Sequence, residues 1–263
     1  MIVYKSNKEI LAIKKSNQIV AQILSDLSDM VNPGIQTREL DEYAHRKARE
    51  MGAIPAFKGY RSFPASLCTS INEEIVHGIP SARVLQEGDI VSIDFGVIYD
   101  GYYGDAALTL PVGKISSTAS KLIETAKQSF YEGIKKLKVG NRISDVSYAI
   151  QQHVESQGFS VIKTFVGHGI GMSLHEEPQI PNFGSPGHGP KIKSGMVLAI
   201  EPMIAVGDWN VEILADNWTA ITKDKSLSAH YEHTVAVTED SVEILSLLDT
   251  DSESFPIKES SYA

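Results

Sequence analysis

The sequence is short of cysteine: Cys68 is the single thiol among 263 residues. One cysteine excludes an intramolecular disulfide framework and is typical of proteins that fold in a reducing compartment. Cys68 could be a nucleophile, but a lone cysteine beside apolar residues is more often packed in a core. A chain of this length can bury roughly three quarters of its unfolded surface, so it needs no cross-links.

The sequence also lacks a long hydrophobic run and an excess of positive charge. No window of about 18 uncharged apolar residues occurs, and charges interrupt residues 1–18 every few positions. The 24 basic residues are outnumbered by 33 acidic ones, which gives a net charge of −9 and argues against nucleic acid as the main partner. We therefore expect a cytoplasmic protein that does not cross a membrane.

Several catalytic motifs are absent as well. The sequence has no GxGxxG, no P-loop and no GxSxG, which disfavours a dinucleotide site, a phosphate-binding loop and a serine-hydrolase elbow. The segment that begins at His175 reads HEEPQ, so it does not meet the zincin HExxH pattern either.

Residues 90–110 predict a β-hairpin. Alternating and β-branched apolar residues flank Asp-Gly at 100–101, a two-residue turn signal. With that turn Asp94 lies opposite Ala107, and Asp94 and Asp105 project from one face, roughly 7 Å apart at Cβ. Both acids could simply face water. On a half-buried face, however, two like charges require a positive charge between them.

Four helices are predicted from apolar spacing and capping signals, at about residues 6–31, 37–51, 116–138 and 144–157. The helix–helix–strand plan of the first half recurs in the second half. We expect two half-sheets that meet face to face with a site between them. The predicted organisation is one domain over residues 1–250, with pseudo-repeats at about 5–112 and 113–248, followed by a polar tail at 249–263.

The repeat places carboxylates at equivalent positions. Asp94 falls on Glu201 and, by a looser match, Asp105 falls on Glu232. His168 adds an imidazole between two glycines that permit close backbone approach. An oxygen-rich, histidine-poor donor set suits a pair of divalent ions such as Mn, Fe, Co or Zn better than one structural zinc. Two such ions can clamp the oxygens of a carbonyl hydrolysis.

Five segments, in this order and spacing, resemble type I methionine aminopeptidase: NEEIVHGIP, SIDFGVIYDGYYGD, GHGIGMSLHEEP, VLAIEPM and HYEHT. The resemblance spans about residues 5 to 247. It implies an α+β pita-bread fold in which two pseudo-symmetric α/β halves enclose a dinuclear metal site. It also implies a metallo-exopeptidase that removes the initiator methionine when the second residue is small.

The resemblance implies a role for each ligand. Asp94 chelates one metal, His168 and Glu201 bind the other, and Asp105 and Glu232 bridge the two. A hydroxide activated by both metals would attack the first peptide bond, with Glu201 a candidate proton shuttle. The free α-amino group of the substrate would ligate a metal, which an internal peptide bond cannot do.

Two further histidines belong to the implied site. His175 resembles the residue that hydrogen-bonds the scissile carbonyl, and His77 resembles the one that contacts the scissile amide nitrogen. Either histidine alone would more often be a satisfied structural residue. The implied partners are nascent polypeptide N-termini, with the ribosome a further candidate, and the protein is expected to be a monomer without an N-terminal extension.

The methionine pocket of the family maps to five positions in this chain: Tyr60, Phe63, Cys68, His77 and Trp218. An apolar, polarisable slot suits an unbranched thioether, although Tyr60, Phe63 and Cys68 could instead be ordinary core residues. Phe63 and Leu174 stand where family members carry a tyrosine and a phenylalanine, which would reshape the pocket.

Two other functions compete with this interpretation. Xaa-Pro peptidases share the fold and the ligands, but they usually carry an extra N-terminal domain before the first ligand, and only 93 residues precede Asp94 here. A non-catalytic binding module of the same fold would have lost ligands, and this sequence keeps all five.

Overall fold

The protein is described by a computed structural model over residues 1–239, 241–248 and 254–256. The helices are α1 (Asn7–Met30), α2 (Thr37–Glu50), α3 (Ser117–Ile134) and α4 (Ile143–Ser156), with a 3-10 turn at Tyr60–Ser62. The strands are β1 (Ile54–Pro55), β2 (Leu67–Ile71), β3 (Glu74–Val76), β4 (Ile90–Tyr99), β5 (Tyr102–Pro111), β6 (Ser160–Val161), β7 (Gly167–Gly169), β8 (Glu176–Ile180), β9 (Val197–Ile200), β10 (Met203–Ala205), β11 (Val211–Ile213), β12 (Ala220–Thr222), β13 (Ser228–His230), β14 (Glu232–Val237), β15 (Ser241–Ile244) and β16 (Ser254–Pro256).

The four predicted helices are present, and one of them ends early. Helix α3 stops at Ile134 rather than at Lys138, because the N–H groups of Lys136 and Leu137 donate to the carbonyls of Gly133 and Ile134, the i→i+3 spacing of a turn. Leu137 is nevertheless fully buried. It continues the apolar pattern of the sequence beyond the end of the helix.

The predicted hairpin is present in the predicted register. Strands β4 and β5 pair Tyr99 with Tyr102 and Asp94 with Ala107. Asp100 and Gly101 both have positive φ, at 50° and 81°, as a two-residue type I′ turn requires. The turn therefore fixes which face of the sheet each acid occupies.

The two halves of the chain form one continuous sheet, in the order β1-β4-β5-β14-β9-β7-β8, with β2 beside β4 and β15 beside β14. The expectation that the half-sheets meet face to face is wrong. Strand β5 pairs directly with β14, through Ala107 and Glu232, so the halves join edge to edge. This pairing satisfies backbone groups at the inner edges of both strands that face-to-face packing would leave open.

The helices cover one face of this sheet. Alternate residues of β4, such as Ile93 and Phe95, pack with α1 and α2 in one core cluster. Leu198 and Val235 pack with α3 and α4 in a second cluster. Because side chains alternate along a strand, Asp94 points to the face opposite the helices, where the candidate site lies.

No helix among the described residues is long and apolar enough to cross a membrane. The predicted polar tail, 249–263, lies outside the described residues except for the backbone of 254–256, which forms β16 and pairs with β15. The predicted boundaries of the domain and of its pseudo-repeats stay a prediction.

Candidate metal centre

One cavity of about 160 Å³ on the helix-free face of the sheet contains every site residue predicted from the sequence. These residues are Tyr60, Phe63, Cys68, His77, Asp94, Asp105, His168, His175, Glu201, Trp218 and Glu232. Residues from both halves of the chain, from Tyr60 to Glu232, therefore share one site.

Strand register brings the four acids together. Ala107 of β5 lies opposite Asp94 of β4 on one side and opposite Glu232 of β14 on the other. Asp105 is two residues from Ala107 and so shares its face. Glu201 directly follows β9, the strand beside β14. Each half of the chain thus contributes two carboxylates.

His168 enters the same cavity from β7, between Gly167 and Gly169. A Cβ at either glycine would collide with a backbone carbonyl, that of Ala199 or that of Glu177. The His168 Nδ1 lies 2.9 Å from the Gly169 carbonyl oxygen. Because a carbonyl only accepts, Nδ1 carries the proton and Nε2 keeps a lone pair, as a metal ligand requires.

Burial sets the charge state of this cluster. It raises the pKa of Asp94 to about 7, and it raises the pKa of Asp105, Glu201 and Glu232 well above their usual range, with the neighbouring carboxylates adding to the shift. Burial lowers the pKa of His168 to about 3, so its imidazole is neutral. Four acids that resist ionisation beside a neutral imidazole indicate a site that needs positive charge.

The donor atoms fit divalent cations. Asp94, Asp105 and Glu232 each have a buried carboxylate oxygen without a hydrogen-bond partner among the described residues. Two trios bring one donor atom from each member to within 4.8 Å of one another: Asp105, His168 and Glu232 in the first, and Asp94, His230 and Glu232 in the second. Oxygen-rich sets with imidazole suit Mn, Fe, Co or Zn.

Two predicted histidines lie at the rim. The Tyr60 hydroxyl is 2.8 Å from His175 Nδ1, and the ring centroids of His175 and His168 are 4.4 Å apart. His77 has a positive φ of 62°, which is unusual for a residue with a Cβ. Burial, helped by nearby His175, lowers the pKa of His77 to about 4, so His77 is neutral at physiological pH.

The remaining wall of the cavity is apolar. The Phe63 and Trp218 rings meet edge to face at 5.1 Å, and Leu174 lines the same wall. Cys68 lies opposite Asp94 in the β2–β4 pair. Burial, then the charge of Asp94, raises the pKa of Cys68 well above its usual value. A thiol that stays protonated is a poor nucleophile, so Cys68 is a wall residue.

A sequence model described as metallopeptidase family M24 matches residues 12–239. The chain belongs to this family. A methionine aminopeptidase from Clostridium acetobutylicum is 50% identical over 250 residues, a match that covers 95% of this chain and 100% of the relative. The crystal structure of methionine aminopeptidase from Rickettsia prowazekii has a TM-score of 0.93 at 39% identity, covering 94% of this chain and all of that one.

A prolidase from Pyrococcus horikoshii has a TM-score of 0.77 at 22% identity and is covered over 65% of its length, a likeness that shows the fold alone. The pita-bread fold and the family predicted from the motifs are confirmed. As an M24 metallopeptidase, the chain uses divalent metal.

Three residues of this candidate site were not predicted from the sequence: Phe57 and Arg61, which line the cavity, and His230. No sequence pattern distinguishes Phe57 and Arg61 from ordinary core and surface residues. His230 reaches the acids from β13, with Nε2 3.7 Å from Glu232 Oε2. The signal was available, because a residue two positions before Glu232 falls on the same face of an extended chain.

Proposed function

We propose that this M24 chain is a methionine aminopeptidase, which hydrolyses the first peptide bond of polypeptides that begin with methionine and a small second residue. The observation that carries the proposal is the joining of a buried acid–imidazole cluster to an apolar slot within one small cavity. Relatives that are 50% identical over nearly the whole chain are named methionine aminopeptidase, which supports the same activity.

Five residues would hold two divalent ions: Asp94, Asp105, His168, Glu201 and Glu232. Bound ions of Co, Mn, Fe or Zn would supply Lewis-acid chemistry, polarising the scissile carbonyl and lowering the pKa of a water molecule. The free α-amino group of a chain end would ligate one of these ions, which the amide nitrogen of an internal peptide bond cannot do. This preference for an amino terminus explains exopeptidase action.

The protein side chains would then move protons and orient the substrate. The Glu201 Oε1 lies 3.5 Å from His168 Nε2 and faces the cavity. A carboxylate there can accept a proton from water and deliver it to the leaving amine. Glu201 would therefore combine the roles of ligand and proton shuttle.

The rim histidines would bind the peptide bond. In the tautomer in which the Tyr60 hydroxyl donates to His175 Nδ1, the His175 Nε2–H is free to donate to the scissile carbonyl oxygen. His77 faces the same cavity and would contact the scissile amide nitrogen. Both contacts strengthen as charge develops in the transition state, so they would act on turnover more than on binding.

The apolar wall would hold the methionine side chain. Tyr60, Phe63, Cys68, Leu174 and Trp218 form a slot that suits an unbranched, polarisable thioether. A cavity of about 160 Å³ also leaves little space beyond the first residue. We therefore expect a small second residue, and the natural substrates would be nascent polypeptide N-termini.

A peptide panel tests the proposal. Protein stripped of metal and reloaded with one ion at a time should release methionine from Met-Ala and Met-Gly peptides, and it should leave Met-Lys, Met-Ile and Xaa-Pro peptides intact. The stripped protein should be inactive until metal is returned. Preferential cleavage of Xaa-Pro peptides would instead assign the chain to the prolidase branch of the fold.

A further inference from the structure

His230 is the one residue of the acid cluster to which neither the motifs nor the proposed function gives a role. His230 is 1% exposed, and neither ring nitrogen has a hydrogen-bond partner among the described residues. A buried imidazole nitrogen without a partner loses its hydrogen bonds to water and gains none from the protein, which is uncommon in folded proteins. His230 therefore requires an explanation.

His233 shows how this chain treats a buried histidine that has only a structural task. Its Nδ1 lies 2.8 Å from Ser246 Oγ, and its Nε2 lies 2.9 Å from the Tyr231 hydroxyl. Both ring nitrogens of His233 therefore have protein partners. His230, three residues earlier in the chain, has a protein partner for neither. The difference indicates that the partner of His230 is a group other than a protein side chain.

The surroundings of His230 Nε2 identify the kind of group. It lies 3.7 Å from Glu232 Oε2, beyond hydrogen-bond range, and donor atoms of Asp94, His230 and Glu232, one from each, lie within 4.8 Å of one another. Glu201 Oε2, from a ligand of the neighbouring ion, is 3.9 Å away. Ligands about 2.0–2.2 Å from one ion stand about 3–4 Å from each other, so the separation from Glu232 suits two donors that share a cation. The spacing matches that of His168, whose Nε2 lies 3.5 Å from Glu201 Oε1 and 4.0 Å from Asp105 Oδ2.

The backbone holds His230 in this position. Its N–H donates to Thr109 Oγ1, and its carbonyl oxygen accepts from the same hydroxyl, both at 2.9 Å. The Thr109 hydroxyl is in turn 2.8 Å from Ser92 Oγ. Thr109 belongs to β5, the strand that carries Asp105, so the backbone of His230 is held beside the acids before any ion binds.

We propose that His230 is a further metal ligand, the imidazole donor to the ion that Asp94 and Glu232 hold. The inference rests on the proposed function for the assignment of that ion. By that assignment Asp94, Asp105 and Glu232 give the ion carboxylates alone, whereas the other ion also has His168. With His230 each ion has one imidazole, which favours Zn, Co or Fe over Mg or Ca at both positions.

The first test is the number of imidazoles bound per metal, measured by X-ray absorption on the full-length protein loaded with two equivalents of Co²⁺ or Zn²⁺. Wild-type protein should give one imidazole per metal, and the His230→Gln variant should give one half. The wild-type measurement tests the proposal by itself, whether or not the variant folds. A wild-type value of one half, or binding of a single ion, overturns the proposal.

The second test is calorimetric titration of the metal-free protein with Co²⁺. The His230→Gln variant should lose affinity at one of two sites by more than the about 10–100-fold expected for an outer-shell contact, and it should keep the other. His233→Gln, which removes a buried imidazole with protein partners, should retain both sites. Unchanged affinities in His230→Gln, or weaker binding with an unchanged imidazole count, would make His230 a positioning residue and defeat the proposal.

These readouts do not depend on peptide cleavage. A protein that binds two ions with one imidazole each but releases no methionine would retain the His230 ligand and refute the proposed activity. A protein that releases methionine but has one imidazole for two ions would refute the His230 ligand and retain the proposed activity. If His230→Gln unfolds, His230→Asn and the wild-type spectrum carry the test.

Discussion

Residues 90–111 supply Asp94 and Asp105 from one hairpin, whereas the second half supplies Glu201, directly after β9, and Glu232, the first residue of β14. In the hairpin a two-residue turn sets the register locally. In the second half the register exists only because β9 and β14 meet in the folded sheet. Each half thus supplies an equivalent pair of acids. Local sequence positions the first pair, and tertiary structure positions the second.

The comparison extends to the metal. By the proposed assignment Asp94 belongs to one ion, Glu201 and His168 belong to the other, and Asp105 and Glu232 belong to both. Each half of the chain therefore contributes one acid that binds a single ion, called the private acid, and one that binds both ions, called the shared acid. Substitutions that remove a private or a shared acid should have distinguishable effects.

The largest effect is expected for a shared acid. Asp105→Asn should weaken both ions and lower activity by more than the about 100-fold upper range of outer-shell changes, because the buried oxygen that both ions need is lost. Metal analysis after dialysis, with kcat/KM on a Met-Ala peptide, measures it. Asp94→Asn and Glu201→Gln should each retain one ion. Retention of two ions by Asp105→Asn would separate this acid from the metal centre.

A rim histidine should affect turnover without affecting metal. His175→Ala should keep both ions and lower kcat by about 100-fold, the loss typical when one oxyanion donor is removed. Metal content and kcat on the same preparation check this prediction. Tyr60→Phe is the matched control, since it removes only the hydroxyl that orients His175 and should cost less. Loss of metal from His175→Ala would make His175 a ligand.

The hairpin turn offers a direct test of local against tertiary register. One glycine inserted between Asp100 and Gly101 should shift β4 against β5, turn one acid away from the cavity and reduce metal content before it unfolds the protein. An equal insertion after Asp216, in the exposed turn between β11 and β12, should leave metal content unchanged. Equal metal loss from both insertions would contradict the assigned difference.

The same contrast explains what could be predicted from sequence. The hairpin and its two acids were accessible because turn chemistry and alternation act over a few residues. Glu201 and Glu232 were accessible only because the second half repeats the sequence pattern of the first. The edge-to-edge joining of β5 with β14 was not, since nothing local specifies which strand a free edge meets. His230 lay within reach of alternation, since it is two positions before Glu232, but β13 ends at His230 and β14 begins at Glu232, so the two residues do not belong to one continuous strand.

The smallest effect is a pH dependence of the metal-free protein, to which each half contributes two acids. Burial raises the pKa of Asp94 to about 7 and that of Asp105, Glu201 and Glu232 well above their usual range. The native state therefore binds more protons than the unfolded state from the ordinary carboxyl pKa of about 4 upward, and Asp94 stops contributing above about pH 7. Within this window the free energy of unfolding falls as pH rises, by about 1.4 kcal/mol per pH unit for each carboxyl that is protonated only in the native state.

Denaturant unfolding of the metal-free protein between pH 6.5 and 8.5 measures this slope. Burial lowers the pKa of His168 and His230 to about 3, so these histidines cost stability only below about pH 6.5, where the unfolded imidazole takes up a proton. The double variant Asp94→Asn/Asp105→Asn removes the acids of one half and should reduce the slope. Metal-loaded wild type should show a smaller slope, because bound cations keep the carboxylates ionised. An equal slope with and without metal would place its source outside the centre.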